Sequence, residues 1–394
     1  MALTALIAAY HESGEAGVLR ACLPLAGRTL LERQVRLAAA AGASPVVVVV
    51  ERMPVALAAA IERLRRERLP IEVARSVDEA ALAIDSNDRV LIIADGAVGD
   101  ASELERLARS DAPAVLTVPD KNHGELYERI DAASRWAGLA AIEGALLAET
   151  AAMLRDWDLQ STLLRRALQA GARHVAAAAP VAIIDSTGDL AGLERQIMVS
   201  ADGAPGGWAS HLLGPLERAA TRLLMHGPAA PAMIGSAAAL LVTLAAGAFA
   251  SNWLVSGMAA MLLATPLEGI GQRLARLRMQ DDIGRSWWSY LLPALAGTAL
   301  IGLAYTLAPA HGWGMILLAF TTLAFMVAAG IEGEGRKLRG AGFLAEWKGM
   351  AWVMLPFALA GAWHIGLSGL FVYAAASFFW AQHEAHRPAA KGQD

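Results

Sequence analysis

The sequence predicts two folds in tandem, an α/β N-terminal domain followed by an all-α membrane domain of six transmembrane helices. Three observations predict it. Hydrophobic residues make up 56% of the 394 and charged residues 18%, too apolar for a wholly water-facing chain. The long apolar stretches begin only after about residue 225, and each is about 18–22 residues, enough to cross a bilayer core. Before that point short apolar runs alternate with helical stretches, the pattern of an open sheet covered by helices on both faces.

In the first half, Leu3–Ala8 and Val46–Val50 are continuous apolar runs, as in parallel strands buried on both sides. Ile71–Ala74, Arg89–Ala94, Ala114–Val118 and Val181–Ile184 are further strand candidates. Ligands of such sheets bind at the carboxyl ends of the strands. The single cysteine, Cys22, excludes an intrachain disulfide and fits a reducing compartment. The opening MALTALIAAYHESGE lacks the basic region of a signal peptide. The net charge of −4 says little about partners, and no nucleic-acid partner is expected. His11, His123, His174 and His226 lack paired metal spacing and read as solvated loop residues. WDLQSTLLRRALQAG reads as an amphipathic surface helix.

SADGAPGGW (Ser200–Trp208) reads as a linker, and the leucines of ASHLLGPLERAATRLLMHG suit a helix lying along the membrane surface. The expected division is 1–199, 200–230 for linker and surface helix, 231–384 for the membrane domain, and 385–394 as a tail. The six spans are Pro231–Ala250, Asn252–Gly269, Trp287–Ala308, Trp313–Ile331, Met350–Trp363 (short, with Pro356) and His364–Ala381. Arg218 and Arg222 precede the first span. Arg273, Arg276, Arg278 and Arg285 separate the second from the third, and Arg336, Lys337, Arg339 and Lys348 the fourth from the fifth. The alternate connections carry no Lys or Arg, so both termini are expected on the cytoplasmic side of a cytoplasmic (inner) membrane. Arg336, Lys337 and Arg339 either fix topology alone or also meet lipid phosphate. Glu332 and Glu334 end the fourth span.

LEGIGQRLARLRMQDDIGRSWWSYLLP (Leu267–Pro293) resembles the CDP-alcohol phosphotransferase signature, D-x2-D-G-x2-A-R-x7-9-G-x3-D-x3-D. Ala275, Arg276 and Gly284 match it. The four aspartates fall on Glu268, Gly271, Trp288 and Leu292, and the first glycine on Gln272. The resemblance implies transfer of a CDP-activated phosphate to an alcohol, with two metal ions bridging the pyrophosphate and the last aspartate as base. Hard divalent ions need several oxygen ligands, and here only Glu268 offers a carboxylate. Glu268 and Arg276 are thus the vestige of the site, Arg276 as a phosphate contact. Asp281 and Asp282, beside Arg278 and Arg285, are out of register, and read as replacement ligands or as loop charges.

The first half resembles the sugar-phosphate nucleotidyltransferases, and within them the CTP-using inositol-phosphate members, through LPLAGRTLLERQVRLAAAAGA, VLIIADGAVGD and IIDSTGDLAGLER. The implied fold is nucleotidyltransferase-like, of the GT-A or Rossmann-like α/β kind. The resemblance makes Asp95 and Asp185 the carboxylates that hold a catalytic Mg²⁺. Read plainly, Asp95 ends a strand and Asp185 caps a helix near Asp189. The phosphate-binding loop falls on Ala9–Gly17, which carries Glu12 and Glu15, and Arg20 keeps the cation that follows it. The domain order matches fused inositol-phosphate cytidylyltransferase/di-inositol-phosphate phosphate synthases, one domain making a CDP-alcohol and the other using it. Three functions follow as expectations. The first is a non-catalytic, diverged family member in polar-lipid or inositol-phosphodiester metabolism, needing no cofactor. The second is an Mg²⁺-dependent transferase with rearranged ligands, and the third an active cytidylyltransferase on an inert anchor. The expected partners are the bilayer, CTP or a CDP-alcohol, and a second subunit, either identical or an intact family member.

Overall fold

Strands form early in the chain because their residues are apolar on both faces. The structure is a computed structural model that describes residues 2–14, 17–120, 126–153, 158–202, 207–227, 229–280, 288–333 and 339–386. Asp281, Asp282, Gly284, Arg285, Glu334, Arg336, Lys337, Glu15 and His123 lie outside the described residues, as does the tail beyond 386. The chain divides into two units, Met1–Val199 and Ser200–Asp394.

In the first unit the strands are β1 (Leu3–Ala8), β2 (Pro24–Leu25), β3 (Arg28–Thr29), β4 (Val46–Val49), β5 (Ile71–Ala74), β6 (Arg89–Ile93), β7 (Ala97–Val98), β8 (Ala114–Pro119), β9 (Ser134–Glu143), β10 (Arg173–Ala176) and β11 (Ala182–Ile183). The helices are α1 (Leu30–Ala40), α2 (Val55–Arg66), α3 (Val77–Leu82), α4 (Ala101–Ala108), α5 (Gly144–Met153), α6 (Leu159–Gln169) and α7 (Thr187–Asp202). Seven strands make one sheet in the order β10-β8-β9-β6-β1-β4-β5. All neighbours are parallel except β9, which runs antiparallel to both β6 and β8. The chain builds β1, β4 and β5 outward, then returns to lay β6 on the other side of β1. That reversal puts the topological switch point between β1 and β6, where open sheets leave a crevice. The expected strand Val181–Ile184 is not part of this sheet, because β11 pairs instead with β7.

α1 starts where Thr29 and Glu32 satisfy each other's backbone N–H groups in a capping box. Its buried Gln34 donates to the carbonyls of Ala94 and Ala97, 3.0 and 2.8 Å away. The helix thereby fixes the turn that follows β6.

The second unit is helical: α8 (Trp208–Leu224), α9 (Pro231–Ala250), α10 (Leu254–Leu277), α11 (Trp288–His311), α12 (Gly314–Gly333), α13 (Trp347–Leu359) and α14 (Trp363–Ala385). On α8, Leu212, Leu216 and Leu223 are exposed while Leu213, Glu217 and Thr221 are buried. The surface helix therefore turns a glutamate inward, which its leucine pattern did not indicate. Arg278 holds the following connection by donating to the carbonyls of Met225, Gly227 and Ala229.

Among the described residues five helices are long and apolar enough to cross a membrane: α9, α10, α11, α12 and α14. The six-span expectation is corrected at its fifth member. α13 has 13 residues, or about 20 Å of helix against a core of about 30 Å. Ahead of it, residues 339–346 run beside α14 without forming a long helix. Side chains of α14 tie this segment down. Trp380 Nε1 donates to the Arg339 carbonyl at 2.9 Å, Tyr373 Oη to that of Phe343 at 2.9 Å, and Ala345 N donates to Ser377 Oγ at 2.9 Å.

Candidate functional site

Each unit carries a cluster of charged side chains, and each cluster contains residues singled out by the sequence. In the first unit the cluster stands at the switch point. Asp95 follows β6 and is 2% exposed. Its Oδ2 accepts the backbone N–H groups of Tyr10 at 2.8 Å and His11 at 2.7 Å, which follow the adjacent β1. Its Oδ1 is buried with no hydrogen-bond partner. Burial pushes the Asp95 carboxyl up to about 7, although the backbone N–H groups of His11, Tyr10 and Gly96 and the Arg20 charge favour its ionised form.

Asp185 reaches the same place because Gly96 lets a second segment pass over it. Gly96 has φ +80°, and a Cβ there would stand 2.5 Å from the Ile184 carbonyl oxygen. Ile184 N in turn donates to the Gly96 carbonyl. A side chain would push Asp185 out of the site. Arg20 then closes on Asp185, with Nε and Nη2 each 2.6 Å from Oδ1. Asp189, rather than Asp185, receives the N–H groups at the start of α7.

Asp158 and Gln160, which the sequence did not mark, and His11, which it read as a solvated loop residue, complete this cluster. Asp158 caps α6 and accepts from Tyr10 Oη at 2.9 Å. Gln160 accepts from Asp95 N and lies 3.2 Å from His11 Nδ1. His11 is held between Asp158 and Asp95, at 3.5 and 3.8 Å, not loose in a loop. Burial pushes the His11 imidazolium down and the Tyr10 phenol up. The D-x-x-S pattern at Asp158–Ser161 marks a helix cap, and nothing in it announces Tyr10.

In the second unit, Glu217 of α8, Glu268, Gln272, Arg273 and Arg276 of α10, and Glu346 and Lys348 at the start of α13 line one cleft of ≈ 980 Å³. Lys348 Nζ lies 3.2 Å from Glu268 Oε2, and Gln272 Nε2 donates to Glu268 Oε1 at 2.8 Å. One oxygen of the vestigial glutamate thus accepts a hydrogen bond, while the other faces the Lys348 ammonium at ion-pair distance and has no hydrogen-bond partner. Arg273 Nε donates to Glu217 Oε2 at 3.0 Å, while Glu217 Oε1 is buried with no hydrogen-bond partner. Gly269 permits this approach, since any Cβ there would strike the Glu217 carboxylate. Burial pushes the Glu217 carboxyl up to about 7, against the pull of Lys348. Glu346 is raised by burial too. Arg273 and Lys348, read from the sequence as topology-setting charges, are therefore ion-pair partners in the cleft.

A test of fit to metal ions separates the two clusters. In the first, the orphaned Asp95 Oδ1 is a fitting acceptor for a cation, while the charge of Asp185 is already answered by Arg20. In the second, Glu217 Oε1 and Glu268 Oε2 are likewise buried without a hydrogen-bond partner, but the residues at the signature positions do not fit a two-metal centre. Glu268 is paired, Gly271 has no side chain, and Leu292 is fully buried and apolar. Among the described residues no group of three or more His, Cys, Asp or Glu is arranged to hold a metal ion.

No family model matches the chain, and no curated protein sequence matches it. Among solved structures, a putative glucose-1-phosphate thymidylyltransferase from Bacillus anthracis is similar over 50% of this chain and 95% of its own. The identity is 10% and the TM-score 0.40.

Proposed function

We propose that the chain is a diverged, non-catalytic member of the CDP-alcohol phosphotransferase family fused to a nucleotidyltransferase-like domain. It acts at the cytoplasmic face of the inner membrane in polar-lipid or inositol-phosphodiester metabolism. The observation that carries this reading is the Lys348–Glu268 pair. A transferase of this kind needs divalent ions to neutralise a pyrophosphate and its leaving oxygen. Here a lysine pairs with the one carboxylate left at the signature positions, and an arginine pairs with the neighbouring Glu217. An ammonium and a guanidinium balance charge, but neither offers open coordination positions to a phosphate. The cytoplasmic placement rests on the bias of Lys and Arg toward one set of connections.

The test is CMP release by the purified full-length protein given labelled CDP-alcohols with Mg²⁺ or Mn²⁺. The expected result is no release beside an active family enzyme. Metal-dependent release that Glu268→Ala abolishes would overturn the proposal.

A second reading is favoured by one observation in the first unit. Asp95 Oδ1 is buried without a partner, which suits a cytidylyltransferase whose Mg²⁺ is held by Asp95 and, after Arg20 moves aside, Asp185. What the metal would supply is charge neutralisation of a nucleoside triphosphate. Mg²⁺-dependent CTP binding lost in Asp95→Asn would support that reading, and CTP binding indifferent to Mg²⁺ would count against it.

A further inference from the structure

A second cavity of the membrane unit lies between α14 and the segment that precedes α13. It measures ≈ 300 Å³ and shares no lining residue with the charged cleft. Gly340, Phe343 and Leu344 wall it on one side, and Tyr373, Ser377 and Trp380 on the other. The polar tips of these side chains are already used by the fold. Trp380 Nε1 donates to the Arg339 carbonyl, Tyr373 Oη to that of Phe343, and Ser377 Oγ accepts from Ala345 N. What remains for a ligand is mostly carbon, which suits an apolar chain. Phe343 is 73% and Trp380 50% exposed, so the cavity is open along a helix apolar enough to cross a membrane.

The cavity also has a direction. Arg339 is level with Trp380, near the C-terminal end of α14, and Phe343 is level with Tyr373. At helical rise the second pair stands about 10 Å further into the span. Arg339 is exposed. The fold uses its carbonyl, and among the described residues none pairs with its guanidinium. No acidic residue lines the cavity. In sequence, residues 334–338 add two cations and one carboxylate, so the charge of this stretch stays positive. An unpaired cation at the helix end with an apolar slot running inward from it has the layout of a phospholipid, phosphate first and chain behind.

We infer that this cavity binds an anionic phospholipid. The phosphate meets the Arg339 guanidinium, and one acyl chain lies along Phe343 and Leu344 against the Trp380 and Tyr373 rings. A zwitterionic lipid would bring its ammonium beside Arg339 with no carboxylate in the lining to receive it. The inference stands whether or not either charge cluster is catalytic.

The experiment places the full-length protein in phosphatidylcholine nanodiscs holding a trace of a photoreactive lipid with a diazirine in one acyl chain. The headgroup of that probe is either phosphatidylglycerol or phosphatidylcholine. After irradiation, labelled peptides are mapped by mass spectrometry. Labelling within 340–344 and 373–380 should be about fivefold greater with the phosphatidylglycerol probe, the worth of one basic side chain beside an anionic lipid. Arg339→Gln leaves the carbonyl tie in place and should bring the two probes level, whereas Arg222→Gln, which removes a cation from α8, should leave the preference intact. Equal labelling by the two probes, a preference that survives Arg339→Gln, or one lost equally in Arg222→Gln would overturn the inference. A preference abolished by millimolar inorganic phosphate at constant ionic strength would also overturn it, since Arg339 would then be taking a free anion.

Discussion

Replacing Asp95 by asparagine should remove a pH dependence built into the first unit. The folded-state value of Asp95 is about 7 against an ordinary 3.8. Between those values the folded chain keeps a proton that the unfolded chain has released. Stability is then fully present below about pH 4, falls as pH rises, and levels off above about 7. With the side chain 2% exposed, solvent screening is slight, and linkage gives a loss of about 4 kcal/mol across that window. Asparagine keeps an oxygen for the Tyr10 and His11 N–H groups but cannot ionise. Its NH₂ takes the place of Oδ1, which has no partner, at a cost of about 1–3 kcal/mol independent of pH. The assay is pulse proteolysis in urea on the detergent-solubilised full-length protein, following cleavage within the β1–β9 region from pH 5 to 8. The wild type should lose stability with rising pH, and Asp95→Asn should give a nearly flat profile. Parallel profiles for the two proteins would refute the assignment of the burial cost to Asp95. Mg²⁺ that flattens the wild-type profile alone would support the cation-binding reading of this residue.

Other predictions concern the membrane unit. Lys348→Met leaves Glu268 buried without its cation and should destabilise by about 3–5 kcal/mol, read as a fall in thermal midpoint in detergent that Glu268→Gln largely restores. Gly269→Ala sets a Cβ against the Glu217 carboxylate and should cost about 1–3 kcal/mol, a loss relieved in the Gly269→Ala/Glu217→Ala double variant. Tyr373→Phe removes the hydroxyl that bonds the Phe343 carbonyl and accepts from Trp208 Nε1. It should cost about 1–3 kcal/mol and speed protease cleavage within residues 339–346.

What the sequence revealed follows from the range of the interactions involved. Strands such as Leu3–Ala8 and Val46–Val49 were legible because burial on both faces leaves a local signature, an unbroken apolar run. β9 left none, since SRWAGLAAIE mixes small, polar and apolar residues and owes its place to neighbours on both sides. The helices of the second half were legible from length alone, except α13. There the helix is preceded by a segment with only a short 3-10 turn, tied by Trp380, Tyr373 and Ser377, all more than 28 residues away in sequence. Asp95, Asp185 and Glu268 could be marked because they sit in recognisable strings. Their partners could not: Arg20 to Asp185 and Lys348 to Glu268 are long-range pairs, and each cation read as serving a nearer purpose. Glu217 was hidden in a surface helix whose leucines gave it another reading.

The central claim is that the protein's own cations stand where metal ions would be required in the membrane unit. Titration of the full-length protein with Mn²⁺, followed by electron paramagnetic resonance, tests it most directly, with Asp95→Asn as a background that removes the first-unit carboxylate. The account predicts that Glu268→Gln leaves Mn²⁺ binding unchanged in that background. Stoichiometric Mn²⁺ binding that disappears with Glu268→Gln would contradict it.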